Sequence, residues 1–233
     1  SEEAVRTWRK LLEMGPDDPM LYQQVSDRCQ AAGQRAEAID VLVKGHEVLG
    51  NDGLFIWELA SLYLDAGRYD RAVPLYLKSL AASPNRLPVV EHNLGPLCQA
   101  DNGALLRALL DEDVEAADPL PKARLVSTCA LFAGQPERGL AALEELADRS
   151  EIADMLFQYA AQCEARGFAE VAVLAYGSFA ARRADSPYVF RALLKRAEIS
   201  AKGPNAALAL AHYAELAERF PDRPEAMQAL VGV

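Results

Sequence analysis

Residues 54–85 read LFIWELASLYLDAGRYDRAVPLYLKSLAASPN, and this stretch decides the fold. Ile56, Leu59, Ala60 and Tyr63 recur at three- and four-residue steps, which places them on one face of a helix. The turn Ala66-Gly67-Arg68 interrupts the pattern. Ala72, Leu75, Tyr76 and Leu80 then resume it, and Pro84 stops the second helix. Shifted back by 34 residues, the same reading holds without a gap. Tyr22, Val25, Ser26 and Cys29 precede Gly33, while Ala38, Leu42 and Gly45 follow it. Further turn glycines stand at Gly134, Gly167 and Gly203. A period of this length predicts stacked supersecondary units in place of ordinary domains, because one helix pair cannot bury its apolar face alone. A generic helical bundle gives amphipathic helices but not recurring Gly and Ala landmarks.

The pattern resembles the tetratricopeptide repeat, a helix–turn–helix unit of about 34 residues. Leu59, Ala60, Tyr63, Gly67, Tyr69, Ala72, Tyr76 and Pro84 follow that signature, and the block around Gly167 keeps Tyr159, Ala160, Cys163, Phe168, Ala172, Tyr176 and Phe179. The resemblance implies an all-α, right-handed α-solenoid of helix–turn–helix repeats with a concave inner surface. The expected organisation is a half repeat over 1–16 (a second helix), repeats over 19–50 and 53–84, and a degenerate repeat over 88–118. Repeats over 120–150, 153–186 and 188–221 follow, and a terminal or partial helix spans 223–233, where Met227, Leu230 and Val231 would cap the stack. Within the degenerate unit, Leu94, Gly95 and Cys98 mark the first helix and Asn102-Gly103 the turn, but the second helix has no aromatic landmark. The joint at Pro119-Leu120-Pro121 is expected to stack more weakly. Trp8 aligns with a second helix, so the sequence opens in mid-repeat and is expected to be a segment of a longer array.

Composition agrees with this reading and narrows the ligand. Of 233 residues, 51% are hydrophobic and only 7% aromatic, with alanine the commonest residue, as close helix packing requires. With 24 Lys+Arg against 34 Asp+Glu the formal charge is −10, which disfavours nucleic acid, whose binding depends on cations at the phosphates. No apolar run approaches the roughly 18–20 residues needed to span a bilayer. Cys29, Cys98, Cys129 and Cys163 form no C-x-x-C pair, and His46, His92 and His212 lie far apart, so no zinc site is visible by spacing. Cys29 and Cys98 fall two repeats apart, beyond disulfide reach, and buried free thiols are expected. No cofactor is called for. Neither a nucleophile elbow, a phosphate-binding glycine loop nor an H-E-x-x-H helix occurs, and Glu144-Glu145 reads as helix surface, so no enzymatic activity is expected.

Ligands of such repeats lie along the concave groove lined by first helices, and the faces left free by packing can be projected. They give Gln23 and Asp27, then Trp57, Ser61 and Leu64, then His92 and Gln99. Later units give Arg124 and Thr128, then Asp154, Phe157 and Glu164, then Phe190 and Leu193. Trp57, Phe157 and Phe190 serve either as binding anchors or as packing against the neighbouring repeat. The Lys/Asn/Arg set with which some of these repeats hold a C-terminal carboxylate is absent, since Gln23, Asp27, Trp57 and Ser61 fill those places. The acidic run Asp111, Glu112, Asp113 and Glu115, near Asp118, reads as a solvated helix end, or as a surface steering a basic partner.

The expected function is a non-catalytic scaffold holding a protein or peptide, in a bacterial assembly such as an exopolysaccharide exporter. A targeting arm of a larger enzyme, such as a glycosyltransferase, and direct polysaccharide binding through groove aromatics are the alternatives. The compartment, periplasm or cytoplasm, stays open.

Overall fold

The computed structural model describes residues 2–51, 53–113, 118–146 and 149–226. Glu115 of the acidic run and the expected cap residues Met227, Leu230 and Val231 lie outside them. The described residues are all-α. Helices α1 (Glu2–Met14), α2 (Pro19–Ala31), α3 (Arg35–Leu49), α4 (Ile56–Asp65) and α5 (Tyr69–Ala82) lead into a 3-10 turn, Pro84–Arg86. There follow α6 (Leu87–Ala100), α7 (Ala104–Asp111), α8 (Leu120–Phe132), α9 (Pro136–Glu144), α10 (Ser150–Ala165), α11 (Ala169–Arg182), α12 (Val189–Ala201) and α13 (Ala206–Arg219).

Two compact units divide the chain: Ser1–His92 with Arg107–Lys122, and Asn93–Leu106 with Ala123–Val233. In the first, α1 packs on α2, α2 on α3, α3 on α4 and α4 on α5; in the second, α9 to α13 pack in the same sequential way. This neighbour-to-neighbour order is solenoid stacking.

One turn is used four times. Gly33, Gly67, Gly134 and Gly167 all have φ between 68° and 84°, the left-handed region where a side chain is strained. In the second of these turns Gly67 N–H donates to Leu64 O and Arg68 N–H to Tyr63 O, each at 2.9 Å. The corresponding pairs of bonds close the turns at Gly33, Gly134 and Gly167. This is a Schellman cap, which satisfies the last carbonyls of the first helix and reverses the chain at a fixed angle. Its usual side-chain contact is present too, since the Arg68 guanidinium sits 4.9 Å from the Tyr63 ring centroid.

The two remaining turns differ. Asn102 (φ 55°) joins Gly103 (φ 75°) in the degenerate unit, where Asp101 accepts from Gly103 N and Leu105 N and so caps α7. Gly203 is not left-handed; Pro204 follows it, and Asn205 caps α13 by accepting from Leu208 N at 3.1 Å. Part of the acidic run also has a structural task. Lys122 Nζ donates to the carbonyls of Leu110 and Glu112, closing α7, and Asp118 accepts from Leu120 N to start α8.

Counting from the turn fixes the core. Five residues after the glycine stand Ala38, Ala72 and Ala172, each 0% exposed, and in the remaining case Gly139. A Cβ on Gly139 would lie 2.1 Å from Tyr159 Oη and 3.0 Å from Ser127 Cα. The hydroxyl cannot simply retreat, because it donates to Pro136 O at 2.7 Å. Gly139→Ala gains about 1 kcal/mol of helix propensity, which the lost buried hydrogen bond offsets by a similar amount. Overpacking of about 1–3 kcal/mol then remains as net destabilisation. Urea unfolding of Gly139→Ala is expected to show a lowered midpoint with an unchanged slope, and adding Tyr159→Phe should cost less than the two single changes summed. Strict additivity would show that the two residues do not compete for this space.

Candidate binding groove

The turn into α4 shapes an open cavity of about 370 Å³ in the first unit. Phe55 precedes the helix with φ 61°, a conformation costing an aromatic residue roughly 1–2 kcal/mol. Burial holds it there: Phe55 is 7% exposed, and its ring centroid lies 6.4 Å from that of Tyr22. The bend delivers Trp57 to the cavity wall beside Leu54, Glu58, Ser79, Ser83 and Arg86, with Gln23 of α2 opposite. Trp57 stands edge-on to Tyr76 at 5.5 Å, and the Arg86 guanidinium lies 4.9 Å from the indole centroid. Such a cation–π pair contributes about 0.5–1 kcal/mol at an exposed site. It presents a flat guanidinium-covered plate with hydroxyls, an amide and the Glu58 carboxylate nearby, suited to the carbonyls and amides of a peptide backbone.

Gln23 and Trp57 are thus brought together. Asp27 is exposed and accepts from Gln23 Nε2 at 3.0 Å, and Ser61 lies near enough to the Tyr76 hydroxyl to oppose the upward push of burial on its pKa. Leu64 is a correction: at 6% exposure it belongs to the core, and so does Leu193 at 1%. The projection assumed one packed face per helix. But α4 packs on both α3 and α5, and α12 on both α11 and α13, so two stripes are buried and only a strip stays free.

In the second unit Phe157 lies within 5.7 Å of the ring centroids of Tyr176, Phe179 and Tyr188, a packing arrangement. Phe190 pairs with Phe220 at 5.3 Å and carries Arg223 over its face. Glu164 accepts from Tyr176 Oη and Lys195 Nζ, both at 3.0 Å, and Asp154 pairs with Arg183 at 3.8 Å. His92 and Gln99 are exposed, Arg124 and Thr128 half-buried, and none of these four lines the cavity. Arg86 and the two serines escaped the sequence reading because only first-helix faces were projected, whereas Arg86 belongs to the link after Pro84.

Reactive groups elsewhere are sealed. All four cysteines are free and buried. Cys98 and Cys129 hydrogen-bond each other, and that bond with burial pushes the Cys129 thiol up; burial chiefly pushes Cys163 up to about 12. Ser200 Oγ lies 2.9 Å from His212 Nδ1 and donates to Arg196 O, but Ser200 is only 7% and His212 only 5% exposed. No group of three or more potential metal ligands clusters among the described residues.

Residues 58–89 match the sequence profile of the tetratricopeptide repeat. That segment is a tetratricopeptide repeat. No curated protein matches the chain. Solved structures with similar chains include YrrB, a tetratricopeptide-repeat protein with an unusual peptide-binding site, at 15% identity over 97% of this chain and 98% of that one, TM-score 0.34. PilW, a type IV pilus biogenesis factor, is 18% identical over 91% and 98%, TM-score 0.35. The complex of Naa15/Naa10 with HypK-THB is similar at 15% identity over 98% of this chain and 36% of the other, TM-score 0.38. Among the described residues of this repeat protein, no helix is long and apolar enough to cross a membrane.

His212 makes repeat stability depend on pH. Burial first, then the Arg196 charge, lower its pKa below the ordinary value, against a raising influence of Glu215. The unfolded chain therefore takes up the proton first as pH falls below about 6.5. The contribution is fully present above that value and is lost below it. Wild type should lose stability between pH 7.5 and 5.5 in denaturant titrations, and the gap between wild type and His212→Gln should narrow at pH 5.5; a constant gap would contradict the assignment.

Proposed function

We propose that this chain is a non-catalytic scaffold that binds an extended peptide or a partner segment in the groove around Trp57. The observation that carries the reading is the open cavity, where an aromatic–guanidinium plate, two serine hydroxyls and Gln23 face one space. Apolar surface supplies contact area, and the polar groups match a peptide backbone. YrrB, described with a peptide-binding site, lends this reading context but no weight of its own. Arg86 lies over the indole face and leaves less of it for sugar stacking, and for that reason we rank direct polysaccharide binding second. The finer part of the proposal is the setting, a bacterial assembly such as an exopolysaccharide exporter, in which the scaffold recruits a protein component.

Peptides selected from a random display library against the wild-type chain should bind at least about tenfold more weakly to Trp57→Ala and Arg86→Ala, as loss of a central anchor implies. Exposed Asp185→Asn should leave them unchanged. If no peptide can be selected, and calorimetry with glycan oligomers gives heat that Trp57→Ala abolishes, the peptide reading is wrong.

A further inference from the structure

We propose that a second cavity in the first unit, between α1, α2 and α3, is a docking site for a basic amphipathic segment of a partner protein, whose arginine or lysine enters it. The cavity measures about 280 Å³, just under the roughly 300–1,000 Å³ of small-molecule pockets, so it suits one side chain of a docked segment. Its floor is apolar: Trp8 and Leu12 from α1, Val25 and Cys29 from α2, Val41 from α3. Among the described lining residues, its rim carries Glu13, Glu37 and Asp40 beside one cation, Lys44.

Among the described residues none of these three carboxylates has a salt bridge or hydrogen bond. Glu37 and Asp40 lie three residues apart on one face of α3, where like charges repel. The negative field reaches the floor, since burial and then Glu37 push the Cys29 thiol upward.

An arginine or lysine satisfies both halves of the cavity. Its aliphatic stem covers the apolar floor while its charged head meets the rim, and a guanidinium adds the stacking preference for Trp8. The two cavities share no lining residue. Gln23 faces one, and Val25 and Cys29, on the opposite side of α2, face the other.

The test is fluorescence anisotropy of a labelled acetyl-(Leu-Arg-Arg-Leu)3-amide peptide, with the glutamate counterpart as control. The basic peptide should bind and the acidic one should not. Glu37→Gln with Asp40→Asn should weaken binding about tenfold, and Lys44→Glu should tighten it, as expected for charge pairs at an interface. Glu170→Gln with Asp185→Asn, which removes the same charge at exposed positions of the second unit, should change it less than about twofold, as should Trp57→Ala. Equal weakening by the two double variants would reduce the effect to general attraction by a chain of charge −10 and overturn the site. Loss on Trp57→Ala instead would assign the peptide to the groove, and no binding by the wild type would remove the proposal.

Discussion

A helix pair closed by a left-handed glycine governs the rest of this structure. The Schellman bonds at Gly33, Gly67, Gly134 and Gly167 fix where the first helix ends and how the second leaves it. Core positions can then be counted from the turn, and the fifth residue beyond it must be small because a neighbouring helix passes there. Alanine is 0% exposed at three of these places, and at the remaining one even a methyl group is too large. Alanine at these three places is thus a consequence of turn geometry repeated along the sequence. The helix after Asn102-Gly103, α7, has 8 residues.

That logic explains what could be read in the sequence. Glycine, alanine and aromatic landmarks recur at a fixed period because each reports a local constraint, so the all-α repeat architecture was visible without coordinates. The groove was visible only in part. Gln23 and Trp57 sit on first-helix faces and follow from periodicity, while Phe55, Ser79, Ser83 and Arg86 reach the same space from a strained turn, a second helix and a link. Leu64 and Leu193 failed for the complementary reason, since a helix inside a stack has neighbours on two sides. The close approach of Cys98 to Cys129 has no signal in spacing at all, because it depends on how non-consecutive helices meet.

The net charge of −10 separates into two populations of carboxylate. Some are structural. Glu164 ties Tyr176 to Lys195, Glu215 holds Arg196, and Asp118 and Asp101 cap helices. These are tied up in the fold and contribute little to an attraction for partners. Glu13, Glu37 and Asp40 are different, because they share one cavity mouth, where Lys44 is the one cation among the described lining residues.

Helix α2 connects these strands of reasoning. Its core residues Tyr22, Val25, Ser26 and Cys29 are each at most 2% exposed, yet Gln23 meets the Trp57 cavity while the edges of Val25 and Cys29 floor the acidic one. With these four residues close-packed, the helix cannot shift to suit one ligand without disturbing its packing on α1 and α3. Both cavities are therefore held in shape by the same close-packed layer before any ligand arrives, and preorganisation of this kind reduces the ordering cost of binding. Affinity at either cavity then rests on the few groups aimed into it: the Trp57–Arg86 plate on one side of α2, and three unpaired carboxylates over an apolar floor on the other.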